Sequence, residues 1–315
     1  MPDPKICPLC GNSTHELIVI EKLSYDDIRY IYRSVYRIDV AADGVSDLHL
    51  LRCQDCDLRF YWPQISGDPA FYERLQKFSW YYLEDKAEYH IANRLIPSGS
   101  SVLEIGCGSG CFASFLPEGC NYRGLEYNTA AIEKAKGRGL KVDCVSIASF
   151  AQSFESSFDV VCSFQVLEHV TSPAEFLKKA ARVLAPGGLL IIAVPAEDSF
   201  MGEEINNVLN MPPHHLTRWT DSALTNVSRI IGLQLVALEH EEVSDFNMPS
   251  LARVQILRVV RQTFGIHVPM ISRIATSFPI RLIFKIVSFP IATLGMKSGK
   301  RPAGHSVVAA YKKGL

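Results

Sequence analysis

A short apolar segment that runs directly into alternating glycines limits the fold of this chain more than any other feature. Val102, Leu103 and Ile105 form a predicted buried strand, and the segment 101–110 (SVLEIGCGSG) then places glycine at three alternate positions. Glycine accepts positive φ and has no Cβ, so the backbone can turn sharply and lie against a ligand. A strand, a glycine-rich turn and a helix, here from about Cys111, form the nucleotide site of doubly wound α/β domains.

The residues around this turn indicate which ligand it binds. A second predicted strand, 122–125, ends in Glu126, which is placed to accept hydrogen bonds from two ribose hydroxyls. A dinucleotide site would need a third glycine at position 111, which is Cys111, and Glu104 puts an acid in the turn. An acid suits a cationic ligand and repels a pyrophosphate. We therefore predict that the ligand is not NAD.

Four motifs together resemble class I S-adenosylmethionine (SAM) methyltransferases. The segment 102–110 with Glu126 resembles that family's cofactor loop, and the segments 164–170 (FQVLEHV) and 184–189 (LAPGGL) resemble its later motifs. The motifs cover residues 100–240 in the family's order and spacing. The resemblance implies SAM as the cofactor, with these residues in its site: Glu104, Gly106, Gly108, Gly110 and Glu126.

The same resemblance implies further contacts with the cofactor. Ile147 follows the third predicted strand, where the family contacts adenine, and Gln165 is placed to meet the amino-acid end of SAM. An aromatic-rich helix predicted from Ala70 to Leu95 would close over the site, so that Tyr81 or Tyr82 touches SAM or substrate. The alternative for either tyrosine is packing in the core.

Alternating strand and helix signals from residue 101 onward predict the fold class: an α/β, doubly wound, seven-stranded sheet. About sixty-five residues separate the last two strands, where a short turn would suffice. We divide the chain into a zinc-ribbon-like module (1–62), a helical lid or linker (63–98) and a methyltransferase domain (99–315) with a basic helical insertion (241–303). The predicted strands are 101–105, 122–126, 140–145, 158–164, 188–194, 233–239 and 306–312.

Two C-x-x-C pairs, Cys7 with Cys10 and Cys53 with Cys56, lie in the N-terminal module. Paired thiolates at this spacing, each in a short turn, are typical of a tetrahedral Zn²⁺ site. Reduced free thiols or a redox pair are the alternatives. Because four protein ligands leave no open position, we predict that the ion is structural.

The candidate catalytic residues are histidines, since an oxygen nucleophile must lose its proton and histidine is the natural base near pH 7. Glu168 and His169 follow the fourth predicted strand, and His214 and His215 lie in the segment 212–219 (PPHHLTRW) after the fifth. The second pair resembles the loop that supplies the base in zinc-bearing sugar methyltransferases. We predict His215 or His214 as the base, without choosing between them, and Glu168 with His169 as a supporting pair. The alternative is that one histidine of each pair merely hydrogen-bonds the backbone.

Charge is distributed unevenly along the chain. The 70 residues after Asp245 contain eleven lysines and arginines and no acid, and nine of these cations lie in the insertion. We expect Pro269, Pro279 and Pro290 to break its helices. These helices either lie on an anionic membrane surface through residues 249–301 or cap the sheet. No leader-like segment and no run of eighteen uncharged apolar residues is visible, so we expect a cytoplasmic protein without a spanning helix, held peripherally at the inner face if the insertion binds lipid.

These observations favour a SAM-dependent methyltransferase acting on a hydroxyl of a sugar or glycan-linked substrate, where the substrate class rests on the resemblance alone. The expected partner is a small-molecule or lipid-linked glycan substrate. One alternative keeps the chemistry with a quinone-like lipid acceptor, because the Glu-His motif and the insertion also resemble the ubiquinone-biosynthesis O-methyltransferases. Another is a nucleic-acid-binding protein with a degenerate methyltransferase domain. The intact glycine loop and Glu126 argue against degeneracy, so nucleic acid is not expected as a partner.

Overall fold

A computed structural model describes residues 6–12, 17–41, 44–78, 81, 83–296 and 301–315. Its strands are β1 (Leu17–Ser24), β2 (Asp47–Cys53), β3 (Arg59–Trp62), β4 (Ser101–Ile105), β5 (Asn121–Leu125), β6 (Lys141–Asp143), β7 (Phe158–Phe164), β8 (Leu184–Pro195), β9 (Thr217–Arg218), β10 (Gln234–Glu242) and β11 (Ala303–Lys312). Its α-helices are α1 (Tyr25–Ile31), α2 (Pro69–Leu75), α3 (Ala87–Leu95), α4 (Thr129–Gly137), α5 (Ile147–Phe150), α6 (Pro173–Val183), α7 (Asp221–Ile231), α8 (Met248–Phe264) and α9 (Phe278–Met296).

The larger sheet has seven strands in the order β10-β11-β8-β7-β4-β5-β6. β11 runs antiparallel to both of its neighbours, and the pairs from β8 to β6 are parallel. This confirms the predicted doubly wound, seven-stranded sheet. Two predicted strands, 101–105 and 158–164, have the observed bounds, and the other five overlap their observed strands.

Both faces of this sheet are covered, which explains why its strands read as continuous apolar runs. Along β8, Ile191 and Ala193 pack in a cluster with residues of α3, whereas Leu190, Ile192 and Val194 pack on the other face with residues of α6 and α7. The N-terminal cysteines and Leu58 belong to that second cluster. The N-terminal region and the large sheet therefore share one core.

The smaller sheet has the order β1-β2-β3-β9 and is antiparallel. Its fourth strand, β9, comes from the segment that follows β8, so a segment of the large-sheet region completes the N-terminal sheet. The buried carboxylate of Glu197 joins the two regions, since it accepts hydrogen bonds from Arg218 Nε at 2.6 Å and Arg59 Nη1 at 2.7 Å. The proposed domain boundaries at 62 and 98 remain a prediction.

Two helix predictions were wrong. The residues after the glycine loop form only a short 3₁₀ turn, Cys111–Phe115, because Leu116 precedes Pro117 and takes the extended conformation that a following proline favours. The stretch predicted as one helix, Ala70 to Leu95, contains two helices, α2 and α3, which a connection joins. Phe78 in that connection packs in an aromatic core beside α1.

The insertion consists of α8 and α9, and it corrects three expectations. Pro279 lies in the first turn of α9 and Pro290 lies inside it, so neither proline ends the helix. The segment Phe278–Gly295 is long and apolar enough to cross a membrane by its length and composition, contrary to the expectation that no helix could. The cations of α8 are also not all solvated, since Arg258 and Arg261 pair with Glu203.

Candidate active site and metal-binding clusters

Three parallel neighbours, β5, β4 and β7, end at the same edge of the large sheet, and each is followed by predicted site residues. The glycine loop follows β4, Glu126 follows β5, and the segment from Gln165 to His169 follows β7. Ligands of doubly wound folds bind at this carboxyl edge. The topology therefore brings together the residues predicted to bind the cofactor and those predicted to act on the acceptor.

The glycine loop needs glycine at two positions for both conformation and space. Gly106 and Gly110 have φ of 75°, in the left-handed region that favours glycine. A Cβ on Gly106 would lie 2.4 Å from Cγ2 of Val166, and one on Gly110 would lie 2.3 Å from Cδ1 of Leu140. The loop is therefore packed between Val166, which follows β7, and Leu140, which precedes β6.

Glu126 is held at the rim of this loop by the backbone. Its Oε2 accepts a hydrogen bond from the amide of Gly108 at 2.8 Å, and its Oε1 accepts from the amides of Tyr127 and Asn128 at 2.7 and 2.8 Å. Two carboxylate oxygens offer about four lone-pair sites, and the three amides use three of them, so one acceptor site remains for a ribose hydroxyl. The arrangement fits the ribose contact predicted for Glu126.

Glu104 lies under the loop rather than in it. Its side chain is buried, and the hydroxyl of Tyr122 donates to its Oε2 at 2.5 Å. Burial raises the pKa of Glu104 to about 8. A cation placed beside it would favour the ionised form, which is the property expected of an acid near a sulfonium or ammonium group.

The remaining predicted cofactor residues have different surroundings. Ile147 is buried at the start of α5, beyond the end of β6. The Gln165 side chain donates to Ser306 Oγ at 3.0 Å and to Glu88 Oε1 at 3.5 Å, so it points toward β11 and α3. Tyr82 lies outside the described residues. The cofactor roles of all three stay predictions.

The histidines of the two predicted pairs lie together in one cluster, which we call the histidine cluster: His169, His214 and His215. His169 ends a 3₁₀ turn after β7, and the other two follow a 3₁₀ turn, Val208–Asn210, in the connection from β8 to β9. The amide of Leu216 donates to the carbonyl of Glu168 at 2.8 Å and ties the two segments together. Ring centroids within the cluster are 4.4 to 4.7 Å apart.

The Nδ1 atom of each of the three rings faces an oxygen acceptor. Nδ1 of His169 lies 2.6 Å from the carbonyl oxygen of His214, and Nδ1 of His214 lies 2.8 Å from that of Leu209. Nδ1 of His215 lies 3.0 Å from Oδ1 of Asn210. Because these oxygens can only accept, each Nδ1 carries the proton and each Nε2 presents a lone pair.

Burial keeps the histidine cluster neutral. It lowers the pKa of His169 to about 4, and it lowers the pKa values of His214 and His215 well below their usual range, with the neighbouring imidazoles adding to the effect. Glu168 has the opposite response, since burial raises its pKa to about 8. The site therefore contains three neutral imidazoles beside a carboxyl group that ionises close to neutral pH.

Aromatic side chains of α2 and the connection after it surround the histidine cluster. The Tyr72 ring lies 6.0 Å from both His169 and His214, and the Phe71 and Tyr81 rings lie 6.3 and 5.9 Å from His214. Such a wall suits a flat or ring-shaped acceptor. It also places Tyr81, one of the two tyrosines predicted to touch ligand, at the catalytic end of the site.

Sequence reasoning missed several residues that shape this site. Asn210 fixes the tautomer of His215, and Glu88 and Ser306 bind the side chain of Gln165. Asn210 stands five residues before His215, a spacing that says nothing about contact in an irregular loop. Ser306 is 141 positions from its partner. Only the strand order could have suggested that contact.

The four cysteines of the N-terminal module form a second cluster, the cysteine cluster: Cys7, Cys10, Cys53 and Cys56. Their sulfurs lie within 4.8 Å of one another, and the closest pairs are 3.5 Å apart. A disulfide would need about 2.05 Å, whereas the edge of a tetrahedron with 2.3 Å Zn–S bonds is about 3.8 Å. The spacing fits a tetrahedral metal site.

The acid–base state of the thiols also fits a cation. A hydrogen bond between the two thiols lowers the pKa of Cys7 to about 6 and raises that of Cys56 well above its usual range. The pair thus shares one proton, since two adjacent buried thiolates repel each other. All four sulfurs can ionise together only if a cation lies between them.

The family comparison can now be set against this geometry. A family model described as a methyltransferase domain matches residues 79–238, which is half of the chain. The chain belongs to this methyltransferase family. The matched region contains the glycine loop, Glu126 and the whole histidine cluster, so the resemblance to SAM methyltransferases is confirmed.

Relatives of this methyltransferase agree with the assignment. A protein of Mycolicibacterium smegmatis named "Probable S-adenosylmethionine-dependent methyltransferase" is 29% identical over 159 residues, 50% of this chain and 60% of the relative. A "Ubiquinone biosynthesis O-methyltransferase" of Idiomarina loihiensis is 31% identical over 102 residues, 30% of this chain and 42% of the relative. The aligned regions thus span about two fifths to three fifths of these relatives' lengths.

A solved structure shares the fold of the methyltransferase. The crystal structure of a SAM-dependent methyltransferase from Archaeoglobus fulgidus has a TM-score of 0.50 and 18% identity, and it covers 77% of this chain and 100% of that one. At this identity the likeness shows the fold alone.

Proposed function

We propose that this protein transfers the methyl group of SAM to a hydroxyl oxygen of a small-molecule acceptor. The observation that carries the proposal is the position of His169, which follows β7, the sheet neighbour of the strand β4 that leads into the glycine loop, and which contacts His214. SAM supplies an electrophilic methyl group on a sulfonium. The oxygen forms a bond to that carbon, the carbon–sulfur bond breaks, and the electron pair stays on sulfur.

The chain's own residues bind, orient and shield the reactants. Glu126 binds the ribose of SAM, and buried Glu104 faces the cationic end of the cofactor beneath the loop. Tyr72 and Phe71 form a wall that excludes water from the acceptor. Positioning and water exclusion supply most of the rate enhancement that such a displacement needs.

The acceptor proton leaves through the histidine cluster. His214 or His215 is the group predicted to receive it, and the Nε2 of His214 is buried without a hydrogen-bond partner among the described residues. Glu168 supports the transfer, because its Oε1 lies 3.8 Å from Nε2 of His169 and 3.9 Å from Nε2 of His215. An imidazolium that forms there would keep the carboxylate ionised.

Two acceptor classes follow from this proposal. A quinone-like phenol is supported by the relatives named as ubiquinone biosynthesis O-methyltransferases and by the aromatic wall. A sugar or lipid-linked glycan hydroxyl is the class implied by the histidine loop and the cysteine cluster. A nucleic-acid acceptor is not favoured, because Arg258 and Arg261 of α8 are paired with Glu203 and Arg253 with Glu204.

The proposal extends to the metal and to the place of the reaction. We propose a structural Zn²⁺ in the cysteine cluster, which packs against α6 and α7 and anchors the small sheet on the large one. We also propose that the protein is cytoplasmic and that α9 holds it at the inner face of the membrane. The exposed side chains of that helix support the second point, since Phe278, Phe289 and Leu294 are 78%, 68% and 71% exposed.

Transfer of labelled methyl from SAM to a panel of acceptors tests the proposed function. The panel contains catechol-type quinone precursors, sugar nucleotides and glycolipids, each beside an analogue whose hydroxyls are already methylated. We expect label in one class and none in its blocked analogue. Absence of transfer to every member, together with binding of NADH instead of SAM, would contradict the proposal.

A further inference from the structure

The three imidazoles of the histidine cluster are arranged as ligands are, and the proposed methyl transfer does not require that arrangement. A single general base needs one Nε2, but here His169, His214 and His215 present three. Each Nδ1 is fixed by an oxygen acceptor on the protein. Histidines that bind metal ions almost always donate the other ring nitrogen in this way, which sets the tautomer and the ring orientation.

The three donor nitrogens converge on one region. Each of the three histidines offers one ring nitrogen, and these three nitrogens lie within 4.8 Å of one another. A tetrahedral ion with bonds of 2.1 Å would need separations of about 3.4 Å. The longest separation would therefore have to shorten by at most about 1.4 Å when an ion binds.

A second observation points to a missing cation. Glu168 is 1% exposed, and both of its carboxylate oxygens lack a hydrogen-bond partner among the described residues, as does Nε2 of His214. Buried polar atoms are nearly always partnered in folded proteins. Its Oε1 lies 3.8 Å from Nε2 of His169 and 3.9 Å from Nε2 of His215. A cation between these groups would partner all of the orphaned atoms at once.

We propose that the histidine cluster binds one divalent transition-metal ion, with Glu168 beside it as a further ligand. Imidazole nitrogens favour Zn²⁺, Fe²⁺, Co²⁺ and Ni²⁺ over Mg²⁺ and Ca²⁺. Three neutral histidines leave at least one coordination position open, as catalytic sites do and the cysteine cluster does not. The site is distinct from the cysteine cluster in both ligands and position.

The consequence for catalysis, which rests on the proposed function, concerns the acceptor. An ion at this point would bind the acceptor hydroxyl, lower its pKa and fix the oxygen opposite the methyl group. The three lone pairs would then be occupied, so neither His214 nor His215 would take the proton directly. The proton of the coordinated hydroxyl would then pass to solvent.

The test uses the full-length protein with its cysteine cluster loaded and needs neither SAM nor an acceptor. Co²⁺ is titrated into the protein and followed by its visible d–d absorption, and metal content is measured by mass spectrometry after dialysis. We expect one equivalent bound with the spectrum of nitrogen and oxygen ligands and without thiolate charge transfer. His214→Ala and His215→Ala should abolish it, and exposed His267→Ala should retain it.

A milder variant covers the case in which a histidine variant fails to fold. Asn210→Ala removes the acceptor of the His215 Nδ1 proton but no ligand, and we expect Co²⁺ affinity to fall by roughly 10- to 100-fold, the usual effect of losing such a partner. Asn210→Asp should restore much of it. Wild-type protein that shows no d–d bands at millimolar Co²⁺ would overturn the proposal. Unchanged SAM binding in the same samples would leave the methyltransferase proposal standing.

Discussion

The cysteine cluster and the histidine cluster differ in how they are built, although both contain side chains that bind metals. The cysteines come from two turns of one module, and their sulfur atoms contact one another in two pairs. The histidines come from two loops about 45 residues apart and have protein acceptors on their outer nitrogens. We propose that the first cluster is closed and holds two sheets together, and that the second faces the reactants.

The largest expected effect is on the closed cluster. Cys53→Ser should leave the protein insoluble or with a much lower melting temperature, because a structural Zn²⁺ contributes on the order of 10 kcal/mol of binding free energy to folding. Native mass spectrometry should show one Zn²⁺ fewer than in the wild type. Cys144→Ser serves as the control, since Cys144 is exposed and lies outside the cluster. Normal stability of a metal-free protein would show that the four cysteines are free thiols.

The open cluster should respond in turnover rather than in stability. We expect at least one of the variants His214→Ala and His215→Ala to lower turnover by roughly 10²- to 10⁴-fold while SAM affinity is kept. Comparable losses in both variants are expected of two metal ligands, and a loss in only one is expected of a single general base. Turnover within tenfold of the wild type in both would remove the cluster from the mechanism.

The cofactor end of the site should respond in affinity. Glu126→Ala removes a charge-assisted contact to the ribose and should weaken SAM by about 1.5–3 kcal/mol, roughly tenfold or more in dissociation constant. Isothermal calorimetry measures the change, with exposed Glu118→Ala as the matched control. Since Glu126 also accepts hydrogen bonds from three backbone amides, the melting temperature of each variant should be measured together with its SAM affinity. Equal affinities in the two variants would contradict the assignment of Glu126.

The same contrast explains how much could be predicted from the sequence. The glycine loop, Glu126 and both C-x-x-C pairs were found because each signal lies within a few residues, where backbone geometry links spacing to position. The two histidine pairs were recognised separately, but their convergence was not, since it depends on the loop that pairs Leu216 with Glu168. β9 was missed because two residues, Thr217 and Arg218, are too few to show a strand period.

The insertion shows a second limit of sequence reasoning. The 70 residues after Asp245 contain eleven cations and no acid, yet Arg258 and Arg261 are paired with Glu203 from the connection after β8. Ion pairs between distant segments cannot be read from local charge. In α9, Arg281 and Lys285 are exposed and have no ion pair among the described residues. The basic face available to a membrane is therefore narrower than the composition implied.

The smallest expected effect is on the path by which an acceptor reaches the open cluster. Two cations of α9 near an anionic leaflet contribute about 2 kcal/mol, and the exposed apolar side chains beside them, including Phe289, add burial in the interface. In liposome flotation, wild-type protein should require anionic lipid and should dissociate as salt rises. Arg281→Glu with Lys285→Glu should lower the partition coefficient roughly thirtyfold, the ratio that corresponds to about 2 kcal/mol.

Lys134→Glu with Lys141→Glu makes the same change of charge at α4 and β6, at the far edge of the sheet, and should have little effect. If both double variants and the wild type stay at the bottom of the gradient at low salt, α9 is a cap on the sheet and the acceptor reaches the histidine cluster from solution.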